Sequence, residues 1–149
     1  MSAVEFLPVS AHDAEALVAI RIAAMRESLE NIGRFDPLRA RKRFLASFLP
    51  EHVHKIVVRG EWVGFVALRA ADGELLLDHL YLIPTAQKQG VGSEVMAWVN
   101  TQSRSHQLPV RVGALRNSAS NRFYLRHGFA QINEAEWDNY YLRPLEPRE

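Results

Sequence analysis

The sequence predicts a mixed α+β fold in a single domain. Three observations lead there: an early stretch of helical period, a switch to extended period with hairpin punctuation after Pro50, and a second half in which helices and strands alternate. With 149 residues the chain suffices for one domain with a sizeable core, and no second domain is expected.

Taken in order, Val4 to Val9 reads as a short first strand, and the segment from Ser10 to about Asn31 carries Leu17, Ile20, Ala24 and Leu29 at near-helical spacing, with Ser10 as its N-cap. Gly33 to Pro37 breaks that helix, and Leu38, Phe44, Leu45 and Phe48 mark a second one that stops at Pro50. Val53 to Val58, Trp62 to Leu68 and Glu74 to Ile83 then read as three antiparallel strands, because Arg59-Gly60-Glu61 and Ala71-Asp72-Gly73 between them are hairpin turns by composition. A helix from about Val91 to Ser105 follows, with Val91, Val95, Trp98 and Val99 on one face for packing on the sheet. The rest reads as a strand Val110 to Leu115, a helix from about Ser118 to His127, and strands near Phe129 and from Trp137 to Leu142. No repeat, low-complexity tract or linker interrupts this order.

Composition narrows the function classes. The chain is 48% hydrophobic and 23% charged, with a formal charge of +1, so it has no general attraction to nucleic acid or to acidic lipid. No apolar run is long enough to cross a bilayer, and Met1-Ser2-Ala3-Val4-Glu5 does not resemble a signal peptide. Zero cysteines exclude disulfides, thiolate nucleophiles and cysteine zinc sites. These features lead to the expectation of a cytoplasmic protein with neither a nucleic-acid nor a membrane partner.

Gln87-Lys88-Gln89-Gly90-Val91-Gly92 lies between the strand pattern and the helix that opens near Val91. Small residues let the backbone close on an anion, the first amides of a helix lack internal partners, and the helix dipole adds partial positive charge. The stretch is therefore a candidate phosphate cradle. A P-loop would need Gly-Lys-Ser/Thr, but Ser93-Glu94 follows Gly92 with no lysine; a dinucleotide fingerprint would need a third glycine where Val95 stands, and an opening βαβ unit. An ordinary loop and helix start is the plainer alternative. In a second constellation, Asn117 to Phe129, Asn117 can cap a helix, Gly128 can end it, and Asn117, Ser120 and Tyr124 share a face. A tyrosine there is a hydrogen-bond donor for a site or half-buried packing.

Together, Gln87-x-x-Gly90-x-Gly92 after Leu80-Tyr81-Leu82-Ile83-Pro84, and Asn117-x-x-Ser120-x-x-x-Tyr124-x-x-x-Gly128-Phe129, resemble the GNAT superfamily of acetyl-CoA-dependent N-acyltransferases. The resemblance covers the order of elements over nearly the whole chain. It departs at Ser120, where the family commonly has alanine, and at Gln87, where many members carry arginine. What it implies is a mixed, mostly antiparallel central sheet of about six to seven strands flanked by about four helices, with strands four and five splayed. It also implies acetyl-CoA as cosubstrate without a metal, its pyrophosphate bound by main chain at Gln87, Gln89, Gly90, Gly92 and Ser93. The pantetheine arm would pair with exposed main chain at Leu80 and Leu82, with a bulge near Tyr81 supplying the splay. The resemblance further assigns to the Leu80 amide the oxyanion of the thioester carbonyl, to Asn117 the pantetheine arm, and to Tyr124 the role of general acid for the departing thiolate.

The implied reaction is direct transfer to a primary amine of a small molecule or peptide, since no cysteine is present to form an acetyl-enzyme. A non-catalytic CoA-binding module and a transferase for another acyl group stand as alternatives. An alkylammonium must lose its proton before it attacks, and Asp78 and His79, adjacent on the fourth strand and facing opposite ways, are the candidate bases, with water as the third option. Members that use a glutamate place it two residues earlier, where Leu76 stands here. The family often lines its acceptor pocket from the first helices and the strand of Trp137, Asp138, Tyr140 and Tyr141, so Glu27, Glu30 and Asp138 are candidates to attract a cation. The basic run Arg39, Arg41, Lys42 and Arg43 reads as a solvated helix face, and His52-x-His54 lacks a recognisable third metal ligand. A homodimer is compatible with the resemblance, but no interface is legible.

Overall fold

A computed structural model describes residues 3–145. Seven strands form a mixed sheet in the order β1-β2-β3-β4-β5-β7-β6. They are β1 (Val4–Pro8), β2 (Val53–Val58), β3 (Glu61–Ala71), β4 (Glu74–Leu82), β5 (Val110–Leu115), β6 (Ala130–Glu134) and β7 (Asp138–Arg143). Four helices accompany them: α1 (Ala14–Asn31), α2 (Pro37–Ser47), α3 (Val91–His106) and α4 (Ser120–Arg126). The α+β class, the element order and the strand number are those the sequence predicts, with boundaries displaced by up to four residues: α1 begins at Ala14 and not at Ser10, and β3 continues past Leu68 to Ala71. The described residues cluster into two compact units. One comprises the chain up to Ala67 with His79–Glu94; the other comprises Leu68–Asp78 with the chain from Val95.

In the first unit Ser10 is the N-cap of a 3-10 turn, Ala11–Asp13, and Asp13 is that of α1, which places the expected cap one turn before the helix; the Ser10 amide donates to the Asp13 carboxylate at 2.9 Å. That bond is the main reason the Asp13 carboxyl stays below the ordinary carboxylate range, the Lys55 charge adding to it. Asp36 caps α2 by accepting from the Arg39 amide at 3.1 Å, and Pro37, which has no amide to satisfy, takes the first helical position. Leu17, Val18, Phe44, Val53, Phe65 and Ala67 make the core of this unit, with Phe44 stacked on Phe48 at 5.4 Å and edge-on to Phe65 at 5.7 Å. β1 pairs antiparallel with β2, and β2 with β3. The turn Arg59-Gly60 has positive φ at both residues (50° and 81°), the form whose twist matches that of flanking strands. The basic run on α2 is partly committed, because Arg41 forms a two-pronged ion pair with Glu15 of α1.

In the second unit, β5 runs parallel to β4 over Leu75–Leu77 and Val110–Val112, and antiparallel to β7 along its whole length. Val95, Met96 and Val99 of α3 are fully buried, as the predicted apolar face requires. At the end of α3 the buried Ser103 hydroxyl donates to the Leu108 carbonyl at 2.6 Å, and the Leu108 amide returns to the Ser103 carbonyl. α4 ends in a double turn in which the Phe129 amide donates to the Tyr124 carbonyl and the Gly128 amide to that of Leu125, with the Tyr124 and Phe129 rings 5.4 Å apart. Gly128 thus ends the helix as expected. Among the described residues no helix is long and apolar enough to cross a membrane, and no group of acidic, histidine or cysteine residues could hold a metal ion.

Two histidines make stability depend on acid. Burial lowers the pKa of His54, and burial followed by the charges of Arg126 and Arg143 lowers that of His127, both from the ordinary value of 6.5. The folded protein resists a proton that the unfolded chain accepts, so this stability is present above about pH 6.5 and is lost as the pH falls below it. The thermal midpoint is expected to drop between pH 7.5 and 5.5, and replacing both histidines by glutamine is expected to flatten that slope in differential scanning calorimetry.

Candidate functional site

In the first unit the candidate cradle is built by three successive local events. Pro84 opens a single 3-10 turn, Pro84–Ala86, whose buried Ala86 anchors the loop. Lys88 and Gly90 then adopt left-handed backbone (φ 61° and 81°), which turns the chain into α3. Gly90 is favoured there by its φ, and the space where a Cβ would stand is open to 4 Å. Residues 87–90 are exposed and precede a helix of sixteen residues, so first-turn amides such as those of Val91 and Gly92 have no carbonyl within the helix to bond. Lys88 adds an exposed cation, while Glu94 in the first turn opposes it.

The two glutamines of the loop act through their side chains. Gln87 Nε2 donates to the Leu82 carbonyl at 2.9 Å, Gln89 Nε2 donates to the Thr85 carbonyl at 2.8 Å, and the Gln87 amide already donates to Pro84. They fasten the loop to the end of β4 and to the turn that follows it, while the Gly90 carbonyl accepts from the Glu94 amide at 3.3 Å.

Leu80 and Leu82 lie half-buried on one face of β4, and His79 and Tyr81 on the other. β3 makes room for this segment with Gly64, a residue the sequence reading passed over. A Cβ on Gly64 would drive into the Tyr81 carbonyl oxygen and stand 2.8 Å from Leu82 Cδ2. The Ile83 amide meanwhile donates to the Val63 carbonyl at 2.8 Å. A glycine in a strand pattern is the available signal for such an approach, although it does not say what approaches. His79 lies in an aromatic cluster, its ring 5.4 Å from Phe44, 5.9 Å from Phe65 and 5.6 Å from Tyr81. Glu27 is exposed on α1, and Glu30 is paired with Arg26 at 3.4 Å.

In the second unit Asp78 Oδ2 accepts from Arg69 Nε at 2.5 Å, so this carboxylate already holds a cation. Asn117 is exposed with φ 67°, and the N-cap of α4 is Ala119. The expected cap at Asn117 is therefore corrected: a left-handed asparagine in the turn before the helix cannot also flank its first residue. What holds this turn is Asn121. Its Nδ2 donates to the carbonyls of Leu115 and Ser118, both at 2.9 Å, while its Oδ1 accepts from Tyr141 Oη at 2.7 Å and Asn139 Nδ2 at 3.0 Å. Tyr124 is buried, its ring set against Phe123, Phe129 and Tyr141. The Tyr140 ring lies where a Cβ on Gly113 would stand 3.1 Å from it, Asp138 is half-buried and Trp137 is exposed.

Replacing Asn121 with leucine removes its bonds to Leu115, Ser118, Asn139 and Tyr141, together with one from Nδ2 to Ser118 Oγ at 3.4 Å, and strands the hydroxyl of Tyr141, which is 2% exposed. The expected loss is about 3 kcal/mol, measurable by urea unfolding, since a buried group without a partner costs more than a hydrogen bond contributes.

Residues 50–131, more than half of the chain, match the sequence model of the acetyltransferase (GNAT) domain. No match is found among curated proteins. The fold is similar to that of the paia N-acetyltransferase from Thermoplasma acidophilum in complex with coenzyme A, at TM-score 0.70 and 17% identity over 97% of this chain and 99% of that one. It is similar also to an acetyltransferase from Thermus thermophilus, at TM-score 0.74 and 15% identity over 97% of this chain and 100% of that one. The ribosomal-protein-S18-alanine N-acetyltransferase from Escherichia coli gives TM-score 0.73 and 14% identity over 98% and 96% of the two chains. With its sequence matched over that span and its fold shared with these enzymes, the chain belongs to the GNAT acetyltransferase family and is an acyltransferase.

Proposed function

We propose that the protein transfers an acetyl group from acetyl-CoA to a primary amine of a small molecule or peptide, directly and in a ternary complex. The observation that carries this reading is the exposed loop 87–90, with left-handed Lys88 and Gly90 and open space at Gly90, leading into the first turn of α3. The residues present fit a pyrophosphate: main chain at Gln89, Gly90, Gly92 and Ser93 would hold it, Lys88 would supply charge, and Gln87 would keep the loop in place. The structurally similar Thermoplasma enzyme is in complex with coenzyme A, which supports the same donor here.

Bound donor supplies an activated thioester, and the chain's own groups set its reactivity. The Leu80 amide would stabilise negative charge growing on the thioester oxygen, and main chain at Leu80 and Leu82 would pair with the pantetheine arm. The Leu82 carbonyl also accepts from Gln87 Nε2 at 2.9 Å, which ties the loop to this main chain. Asn117 would hold the arm and Tyr124 would protonate the leaving thiolate. With no cysteine in the chain, a covalent acetyl-thioenzyme has no nucleophile.

Of the two candidate bases His79 is favoured, because Asp78 already neutralises Arg69. Asp78→Asn is expected to leave the pH profile of kcat/KM in place, whereas His79→Gln is expected to move its acidic limb. An unmoved limb would place the base on another residue or on water. The reading as a whole is tested by acetyl-CoA calorimetry together with thiol release across a panel of amines. Donor binding with amine-dependent thiol release supports it; parallel initial-rate lines, or no binding of acetyl-CoA, sink it.

A further inference from the structure

Arg21 sits on the buried stripe of α1, one turn after the fully buried Leu17 and between Ile20 and Ile22, which pack on the core of the first unit. An aliphatic residue would be cheaper at this position, because a half-buried charge gives up hydration and needs compensation. The compensation present is partial. Nη1 donates to the Ala40 carbonyl of α2 at 3.2 Å, and Cζ lies 6.0 Å from the centroid of the Tyr81 ring. Nε is buried with no acceptor. Arg26, Arg41, Arg69, Arg111 and Arg116 each stand beside a carboxylate; Arg21 has none among the described residues.

The ring under this guanidinium belongs to the residue immediately after Leu80, whose amide is assigned to the thioester carbonyl. We propose that Arg21 is a specificity-determining residue that binds a carboxylate on the acceptor, so that the preferred acceptors are free amino acids. The inference rests on the acetyl-transfer reading above and deepens it. The guanidinium retains donors beyond the one given to Ala40, in the planar fork that matches a carboxylate. An anion drawn to it is brought to the side of β4 that carries Tyr81, and in an amino acid the amine is a single carbon away from that anion. The acceptor nitrogen is thereby kept close to the main chain at Leu80, which shortens the search for a productive orientation.

The test compares free amino acids with their own carboxamides, which keep the amine and side chain and lack the charge. Acetyl-CoA calorimetry is run first on every variant, so that a failure of donor binding is charged to the acetyl-transfer reading and not to Arg21. With donor binding intact, kcat/KM for the acids is expected to exceed that for the amides by about tenfold or more, the scale of a charged hydrogen-bonded pair. Arg21→Gln is expected to abolish that preference by raising KM for the acids, with kcat on the amides and KM for acetyl-CoA unchanged. Arg21→Lys is expected to restore part of it, and its thermal midpoint shows whether the Ala40 contact matters for folding. Should no compound in the panel turn over, ligand-observed NMR with CoA present reads binding of the same acids and amides. The proposal is overturned if amides perform or bind as well as acids, or if Arg21→Gln weakens both classes equally.

Discussion

Tyr124→Phe is expected to lower turnover by about 10²–10⁴-fold, the range for removal of a positioned proton donor, while acetyl-CoA affinity and the thermal midpoint stay close to those of the parent. The separation of these effects follows from how the ring is held. Phe123, Phe129 and Tyr141 surround it, and the double turn at Gly128 fixes where α4 stops, so phenylalanine refills the same space. What disappears is a single oxygen. A hydroxyl that served packing alone would give the opposite pattern, with a lower midpoint and preserved thiol release. Measuring kcat, donor affinity and the midpoint on the same preparation decides between the two.

The second large effect is expected at Gly64. Alanine there places a Cβ inside the Tyr81 carbonyl oxygen and tight against Leu82, both parts of β4 and one of them main chain that cannot rotate away. Overpacking of a well-packed region costs about 1–3 kcal/mol, and a clash with backbone belongs at the upper end. Relief requires β4 to move just where Leu80 and Leu82 are assigned to the donor. Gly64→Ala is therefore expected to lower both the urea midpoint and acetyl-CoA affinity, the latter by about tenfold or more if even one main-chain hydrogen bond to a charged or strongly polar group is lost. Unchanged affinity in a destabilised variant would remove Leu80 and Leu82 from the donor site.

Elements whose causes are local were legible in the sequence. The turns at Arg59-Gly60 and Asp72-Gly73, the α3 stripe of Val91, Val95 and Val99, and the stop at Gly128-Phe129 all follow from residues within a few positions of one another. The exposed loop 87–90 and the start of α3 were legible for the same reason, since a loop of this kind needs only small residues and a helix start. Other features depend on partners far along the chain. Asn121 meets Asn139 and Tyr141 at separations of 18 and 20 residues, so nothing near it announces those two hydrogen bonds. Asn117 looks like a helix cap because asparagine is good at capping, but asparagine also tolerates left-handed backbone, and with Asn121 holding the carbonyls of Leu115 and Ser118 the second tendency prevails. The Arg69–Asp78 pair likewise appears only once the hairpin is closed, and it changes what Asp78 can be asked to do.

The strand order of the second unit also bears on how the protein is made. β7 lies between β5 and β6, although β6 leaves the ribosome first. Until residues 138–143 emerge, β5 lacks its antiparallel neighbour and β6, exposed along its whole length, has no strand to pair with. The nascent chain must therefore hold a gap one strand wide and fill it late, and the last insertion seats Tyr141 against Asn121. Synthesis that stalls before Asp138 leaves two open strand edges on one polypeptide, which is the form most exposed to aggregation and to capture by chaperones.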